Sequence, residues 1–319
     1  MTYHILVNPN ARSKRGVRVY KTVEALLKAR GVSFRTVFSK SSEHISQVIA
    51  KLTARPGIRL IVIGGDGTLN RVVDSITDFD NVRVGYIPAG SGNDFWRSLR
   101  VAFDPPVLVD TILRDKTVRT LDVGTLTFLN HTLPESASSY DAFRETRRFC
   151  VSAGIGFDAA VCAGVATDSR GKRLLAKLSL AKLSYIAVAL KLIFRNKNIS
   201  MDFTTDDGKT VHLNHVLFLA AMNTHYEGGG FMFAPDADPS DGRLDLCVVG
   251  DISTARFLRS FPLAYKGKHF TLDGVDHVLT SEVEVRTEAP MWVHTDGEVS
   301  VLSDHIRIRC EKEKLRMLM

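Results

Sequence analysis

The chain has 319 residues, 45% of them hydrophobic, and sets Lys plus Arg 42 against Asp plus Glu 35 for a formal charge of +7. That length suits two domains of roughly 100–200 residues, and so mild a basic excess excludes the dense basic stripe of a nucleic-acid binder while leaving phosphates or an anionic membrane face as partners. Cys150, Cys162, Cys247 and Cys310 are scattered without a CxxC pair, which excludes a zinc cluster or disulfide framework and fits a reducing cytoplasm.

The N-terminus, MTYHILVNPNARSKRG, has only a short apolar stretch followed by basic residues, the wrong order for a secretory signal. Up to about Asp122, β-rich runs alternate with helical patterns: YHILVNP, VRVYKTVEALLKARG, VSFRTVF, SEHISQVIAKL and IRLIVIGG, then VRVGYIP and VRTLDVG with helices between. Near-continuous Val and Ile runs in this alternation predict a parallel sheet wound with helices. Ligands of such sheets sit beyond the carboxyl ends of the strands. Three turns fall at that edge: NPNAR at Asn8 to Arg12, GGDGT at Gly64 to Thr68, and PAGSGNDF at Pro88 to Phe95. In the second, Gly64, Gly65 and Gly67 permit positive φ and remove every Cβ, so an anion can approach the main-chain N–H groups. Asp66 makes sense there if it sets a metal or water that neutralises phosphate charge; otherwise the stretch is a strand-to-helix turn capped by Asp66 or Thr68.

After Val123, the runs TLTFLN, RRFCVSAG, ISMDFTT, HVLFLAAMN, LDLCVVG, SEVEVRT and MWVHT follow one another between turn clusters, which predicts a mostly antiparallel second domain over 123–304. His131 to Arg148 reads as a polar, mobile loop. Lys172 to Asn196 reads as a basic amphipathic helical segment, which either lies on an anionic membrane surface or packs on the sheet. No apolar run reaches the ~18 residues of a membrane span.

Several motifs in this half are ambiguous on spacing alone. GKT at Gly208 to Thr210 lacks the upstream glycine of a Walker A loop and reads as a hairpin turn. GIGFDA, Gly154 to Ala159, follows a strand, but no acidic residue lies about 20 positions on, which argues against a dinucleotide site. NTHYEGGGFMFAPDADPSDGRLDL, Asn223 to Leu246, gathers Asp236, Asp238 and Asp241 either as oxygen ligands for a hard cation such as Mg²⁺ or as an acidic surface loop. HTDGEVS, His294 to Ser300, offers a carboxylate base or an ordinary hairpin turn.

Taken in order, NPNAR, GGDGTLN, PAGSGNDF, GIGFDA, NTHYEGGG, PSDGRLDL and DGE resemble the diacylglycerol kinase-like lipid kinases of bacteria, a group similar to the catalytic core of sphingosine kinases. The resemblance spans nearly the whole chain. It implies a first domain, 1–122, like the nucleotide-binding half of phosphofructokinases and NAD kinases, and a β-rich, sandwich-like second domain that completes the cleft. The C-terminal segment, about 305–319, is implied to pack back on the first domain.

Residue by residue, the resemblance implies that Asn8, Pro9, Asn10, Ala11, Arg12, Ser39, Gly64, Gly65, Asp66, Gly67, Thr68, Leu69, Asn70 and Ser91 line an ATP site. Asp238, Asp241 and the backbone carbonyl of Arg243 would hold a structural Mg²⁺, Glu298 would accept the proton, and Asp66 would communicate with the metal side through water or a second ion. Asp296 competes with Glu298, but its place before Gly297 suits a turn-stabilising bond. The family commonly has a small residue where Arg12 stands and Thr where Ser39 and Ser91 stand; serine keeps the hydroxyl donor, whereas Arg12 either pairs with a phosphate or crowds the site.

The expected activity is ATP-dependent, Mg²⁺-requiring phosphorylation of a lipid hydroxyl such as that of diacylglycerol, in the cytoplasm and peripherally on the inner membrane face. A homodimer through edge strands of the second domain is compatible. The competing readings are an NAD kinase, which shares GGDGT, and a nucleotide-sensing protein that has lost catalysis.

Overall fold

The computed structural model describes residues 2–12, 14–101, 103–116, 118–133, 143–167 and 199–319. The chain forms two compact units, Met1–Val123 with Pro239–Gly242 and Glu311–Met319, and Gly124–Asp238 with Arg243–Cys310. Pro239–Gly242 therefore joins the first unit although its neighbours in sequence lie in the second, and the C-terminal return to the first unit begins at Glu311 rather than at 305. The basic segment Lys172 to Asn196 lies outside the described residues.

The first unit runs β1 (Thr2–Val7), α1 (Arg15–Ala29), β2 (Ser33–Phe38), α2 (Ser42–Thr53), β3 (Ile58–Gly64), α3 (Asp66–Asp74), β4 (Val82–Pro88), a short α4 (Asp94–Ser98) and α5 (Pro105–Arg114). Its strands are parallel in the order β2, β1, β3, β4, with Ile5 opposite both Thr36 and Ile61, and Ile61 opposite Gly85. Six of the seven residues in each of β3 and β4 are buried, as strands covered on both faces must be. The helices supply the cover: α1 buries Val19, Tyr20, Val23 and Leu27, spaced to share one face. Helix α2 starts where Ser41 accepts a hydrogen bond from the His44 N–H, and it buries Ile45 and Ile49. At the C-terminus Met317 pairs in parallel with Val84, and Leu318 joins the core of Ile61, Ile87 and Val109.

The second unit contains the far part of β5 (Val118–Thr132), then β6 (Thr146–Phe149), β7 (Ser152–Gly156), α6 (Phe157–Thr167), β8 (Met201–Thr205), β9 (Thr210–Leu213), β10 (Val216–Met222), β11 (Leu244–Gly250), α7 (Thr254–Ala264), β12 (Val275–Thr280), β13 (Glu282–Thr295) and the first part of β14 (Glu298–Leu318). Antiparallel pairing links β12, β11, β10, β7, β13 and β14 in that order, with β8 on β13, β9 on β8, and β6 on β5. Strand β10 is buried on both faces. Leu219 and Ala221 enter one core with Ile155, Leu246 and Val293; Phe218, Ala220 and Met222 enter a second, where Phe157 and Val161 of α6 and Phe257 of α7 close over the sheet.

Several elements differ from the sequence expectation. The runs VRTLDVG and TLTFLN are one strand, β5, because Gly124 lets the Phe149 ring lie where a Cβ would stand. SEVEVRT and MWVHT are likewise one strand, β13, whose register shifts between Arg286 and Met291. The ends of the expected polar loop are strand, since His131 and Thr132 belong to β5 and Thr146 to Arg148 to β6. Helix α7 lacks an expectation altogether; Ser253 caps it by accepting from the Arg256 N–H. GKT is the β8–β9 hairpin turn, with Gly208 at φ 79°.

Candidate functional site

In the first unit the three strand-end turns converge. The Asn8 N–H donates to the Ile63 carbonyl at 2.9 Å and the Ala89 N–H to the Gly64 carbonyl at 2.6 Å, which ties the first and third turns to the end of β3. Asn8 Nδ2 donates to Thr68 Oγ1 at 2.9 Å, while Asn8 Oδ1 accepts from the Asn10 N–H at 3.0 Å. Gly65 and Gly90 meet backbone to backbone: a Cβ on Gly90 would stand 2.6 Å from the Gly65 Cα. None of Gly64, Gly65 and Gly67 takes positive φ, and Gly64 and Gly65 serve close approach, not a left-handed turn. A Cβ on Gly64, for instance, would stand 2.5 Å from that of Thr68.

Asp66 opens α3, and its carboxylate reaches the PAGSGNDF turn: Oδ2 accepts from the Asp94 N–H at 3.0 Å and Oδ1 from the Phe95 N–H at 3.3 Å. The Asp66 side chain thus satisfies N–H groups that the start of α4 leaves without an intrahelical acceptor, and two of the glycine turns become one construction. Asn10, Arg12, Gly67 and Ser91 are exposed on this edge; Asn8, Pro9, Gly65 and Asp66 are half-buried; Ala11, Ser39, Gly64 and Thr68 are buried. Arg12 takes φ 36°, a left-handed conformation that favours glycine. Leu69 and Asn70 are buried, Leu69 with its N–H given to the Gly65 carbonyl, so the structure makes Leu69 a core residue supporting the turn.

The acidic stretch after β10 divides. Asp122 holds Pro239–Gly242 within the first unit: its N–H donates to the Pro239 carbonyl at 2.7 Å and its Oδ2 accepts from the Gly242 N–H at 2.7 Å. Asp241 is in the first unit and Asp238 and Arg243 in the second, all three exposed. Carboxylate and carbonyl oxygens are the hard donors that Mg²⁺ takes.

In the second unit, Asp296 and Gly297 form the two-residue hairpin turn between β13 and β14, with Thr295 paired to Glu298 and positive φ of 49° and 77° at the two turn residues. Asp296 is fully engaged in structure. Its Oδ1 accepts from the N–H groups of Val151 at 2.8 Å and Ser152 at 2.9 Å, and its Oδ2 from that of Cys150 at 2.9 Å. Glu298 is half-buried and forms an ion pair with Nη2 of the buried Arg147 at 3.3 Å.

Behind this turn lies a buried cluster for which the sequence raised no expectation. His294 Nε2 sits 3.0 Å from Asp158 Oδ2 and 3.2 Å from Glu227 Oε1, and the imidazole has no solvent exposure. Gly154 makes the room, since a Cβ there would stand 2.5 Å from Nε2 and 2.0 Å from Asp158 Oδ2. Burial raises the Glu227 carboxyl to about 7, with Asp158 adding to it and His294 opposing. Burial works against a charge on His294 while the Glu227 and Asp158 carboxylates pull the ring upward, and the geometry decides between them: a second proton on Nδ1 would face the Gly297 N–H, so the ring keeps a single proton and Glu227, itself raised by burial, holds the other. The Gly297 N–H points at Nδ1 from 3.1 Å, so the ring carries its proton on Nε2, between the carboxylates. Three ligand-type atoms lie within 4.8 Å of one another here, but an Nε2 that carries a proton is not a metal donor. The arrangement is a hydrogen-bonded cluster.

Asp158 and Glu227 also border an apolar cavity of about 100 Å³ in whose wall phenylalanines are the commonest residues, among them Phe157, Phe218, Phe231 and Phe257. Cys162 and Cys247 line it too; burial, with the two carboxylates nearby, pushes both thiols upward, so neither is a nucleophile at neutral pH. Each member of the cluster falls in a stretch the sequence had singled out, GIGFDA, NTHYEGGG or HTDGE. Their meeting across 136 residues of chain left no local signal.

Comparison with known proteins agrees with this architecture. Residues 2–126 match the diacylglycerol kinase catalytic domain, and residues 153–318 match the YegS C-terminal NAD kinase beta sandwich-like domain. A diacylglycerol kinase of Mycobacterium tuberculosis (strain ATCC 25618 / H37Rv) is 27% identical over 295 residues, covering 92% of this chain and 87% of that one. A diacylglycerol kinase of Bacillus subtilis (strain 168) is 25% identical over 270 residues, covering 81% and 80%. A crystal structure of a diacylglycerol kinase from Bacillus anthracis str. Sterne has the same fold at a TM-score of 0.68 and 19% identity, over 99% of this chain and 96% of that one. With the catalytic-domain match on the unit that holds the three turns and the sandwich match over more than half of the chain, this protein belongs to the diacylglycerol kinase-like family of lipid kinases.

Proposed function

We propose that this protein uses ATP and Mg²⁺ to phosphorylate the hydroxyl of a lipid such as diacylglycerol. The observation that carries the reading is the convergence of the three turns at the carboxyl edge of the parallel sheet, where glycines alone permit the approach of Gly65 to Gly90. Such an edge, with a helix N-terminus at Asp66 and backbone free of Cβ atoms, suits a polyphosphate.

In this reading Asn8 to Arg12, Ser39, Gly64 to Thr68 and Ser91 bind ATP, with Leu69 and Asn70 supporting them from the core. Asp238, Asp241 and the Arg243 carbonyl are the residues that would hold a structural Mg²⁺, with which Asp66 would communicate through water or a second ion. Glu298 takes the proton of the lipid hydroxyl as its oxygen bonds to the γ-phosphorus and the bond to the bridging oxygen of ADP breaks. Phosphoryl transfer asks for positioning and charge neutralisation more than covalent help. Asp66, with both oxygens on the start of α4, keeps the two glycine turns in register for that task.

Among the described residues no helix is long and apolar enough to cross a membrane. We place the protein in the cytoplasm, meeting an anionic membrane face through the basic segment at Lys172 to Asn196. The test is transfer of label from γ-labelled ATP to diacylglycerol, a sphingoid base, a prenol, NAD or no acceptor. Label in a lipid supports the reading. Label in NAD alone makes this an NAD kinase, and no label across a range of Mg²⁺ concentrations makes it a sensor.

A further inference from the structure

The cluster behind the Asp296–Gly297 turn does more than fill space. His294 joins two things that are far apart in sequence. On one side its Nδ1 accepts the Gly297 N–H at 3.1 Å, which fixes the turn immediately before Glu298. On the other its Nε2–H lies between Asp158 Oδ2 at 3.0 Å and Glu227 Oε1 at 3.2 Å, and both of those residues form part of the cavity wall. A neutral imidazole with one proton accepts at one end and donates at the other across this span.

The wall is built to hold Glu227 in place. The Glu227 N–H donates to the Phe231 carbonyl at 2.9 Å and the Phe231 N–H returns to the Glu227 carbonyl at 3.0 Å. Gly228, Gly229 and Gly230, all at positive φ, carry the chain round between them. Glu227 and Phe231 both line the cavity, so whatever fills it presses on a loop whose carboxylate holds His294.

We infer that His294 is a positioning residue for the Glu298 turn, and that Glu227 and Asp158 hold it in the required tautomer and tie that turn to the wall of the apolar cavity. The inference rests on the reading of Glu298 as proton acceptor. His294 itself touches no reacting atom. Its effect is on the place of Glu298, where a displacement of about 1 Å can cost on the order of 10²-fold in rate.

Two substitutions separate the halves of the relay. His294→Asn leaves a carbonyl oxygen near the place of Nδ1 and abandons the carboxylates; His294→Gln reaches the carboxylates and abandons Gly297. If positioning needs both ends, each variant lowers kcat by roughly 10–10²-fold while KM for ATP stays within about two-fold, since ATP binding is not what is lost. Glu227→Leu, which suits an apolar wall, lowers kcat with the same unchanged KM for ATP. Each is measured with the lipid acceptor found by the labelling panel, after thermal unfolding has shown that the variant folds.

A second measurement does not depend on any acceptor. Imidazole and amide ¹⁵N spectra of the full chain at pH 7 should show His294 with Nδ1 bare and Nε2 protonated. The Gly297 amide should shift in His294→Gln and in Glu227→Leu. If Glu227→Leu does not fold, His294→Gln carries this arm. A Gly297 amide unmoved in the folded variants, or full kcat in both His294 variants, overturns the inference. Failure of every acceptor to take label refutes the kinase reading instead, and the spectra still decide whether His294 holds the turn.

Discussion

Asp296→Asn isolates what the hairpin turn contributes to the second unit. The wild-type carboxylate takes three backbone N–H groups, those of Val151 and Ser152 on Oδ1 and that of Cys150 on Oδ2, all at 2.8–2.9 Å. An asparagine presents one carbonyl oxygen. It can keep the two bonds on Oδ1 in neutral form, and it turns its own N–H₂ toward the Cys150 N–H. Charge-assisted bonds contribute about 1.5–3 kcal/mol and neutral ones about 0.5–1.5. Weakening two and losing one amounts to about 4 kcal/mol, which the partial exposure of the turn reduces to about 3. At roughly 2–4 °C per kcal/mol for a unit of this size, Tm should fall by about 6–12 °C. The chain has two tryptophans, Trp96 in the first unit and Trp292 on β13 in the second, so a Trp96→Phe background lets fluorescence report the second unit alone. A fall of less than about 2 °C would show that the three N–H groups find other acceptors and that Asp296 is not the clasp of this turn.

Asp66→Asn should lower turnover more than ATP affinity, because the carboxylate holds the register of two turns, whose exactness matters most in the transition state; calorimetry and kinetics on one sample decide it, and equal losses in both would make Asp66 a determinant of the ATP site itself. Gly154→Ala must place a Cβ 2.5 Å from His294 Nε2 and 2.0 Å from Asp158 Oδ2, so we expect a loss of about 2–3 kcal/mol in urea unfolding, and near-wild-type stability would mean that the cluster yields. His269 is held down to about 4 by burial, against the pull of a hydrogen bond the ring donates to the Phe233 backbone and with help from His277. Its folded value lies below the ordinary 6.5, so above pH 6.5 it leaves stability unchanged; as pH falls from 6.5 to 4 the unfolded chain takes the proton and about 3 kcal/mol is lost. His269→Phe should flatten that acid slope, and an unaltered slope would assign it to other groups. Charge reversal at Lys177 and Lys182 should weaken sedimentation with anionic vesicles at low salt by about 1 kcal/mol per residue; unchanged sedimentation would remove the segment from the membrane contact.

The first unit was legible because each of its signals is local. Continuous Val and Ile runs between amphipathic helices specify a parallel sheet, and the place of ligand turns at its carboxyl edge follows from topology. What the glycines do there was not legible: Gly65 and Gly90 are 25 positions apart in sequence, and only their contact shows that the missing Cβ atoms, not positive φ, are what the turn requires. The role of Asp66 was hidden for the same reason, since its acceptors' partners at Asp94 and Phe95 lie on another turn. In the second unit period-two alternation located the strands but not their length. A glycine inside β5 and a register shift inside β13 look like turns in one dimension. Helix α7 reads poorly because TARFLRSFPLA carries Pro262 and aromatic residues, whose place is set by the core around Phe257. The Asp158, Glu227 and His294 cluster is wholly tertiary, and no spacing rule reaches it.

Glu298→Gln tests the proposed chemistry most directly. The substitution keeps the shape of the side chain and an oxygen for Arg147, and its side chain is already about one-third exposed, so stability should change by less than about 1 kcal/mol. In a rapid-quench single turnover with γ-labelled ATP and the best lipid acceptor, transfer should slow by roughly 10² or more, the scale of a lost general base, while calorimetry finds ATP affinity unchanged. Transfer at near-wild-type rate with saturating lipid would contradict the assignment of Glu298 as proton acceptor.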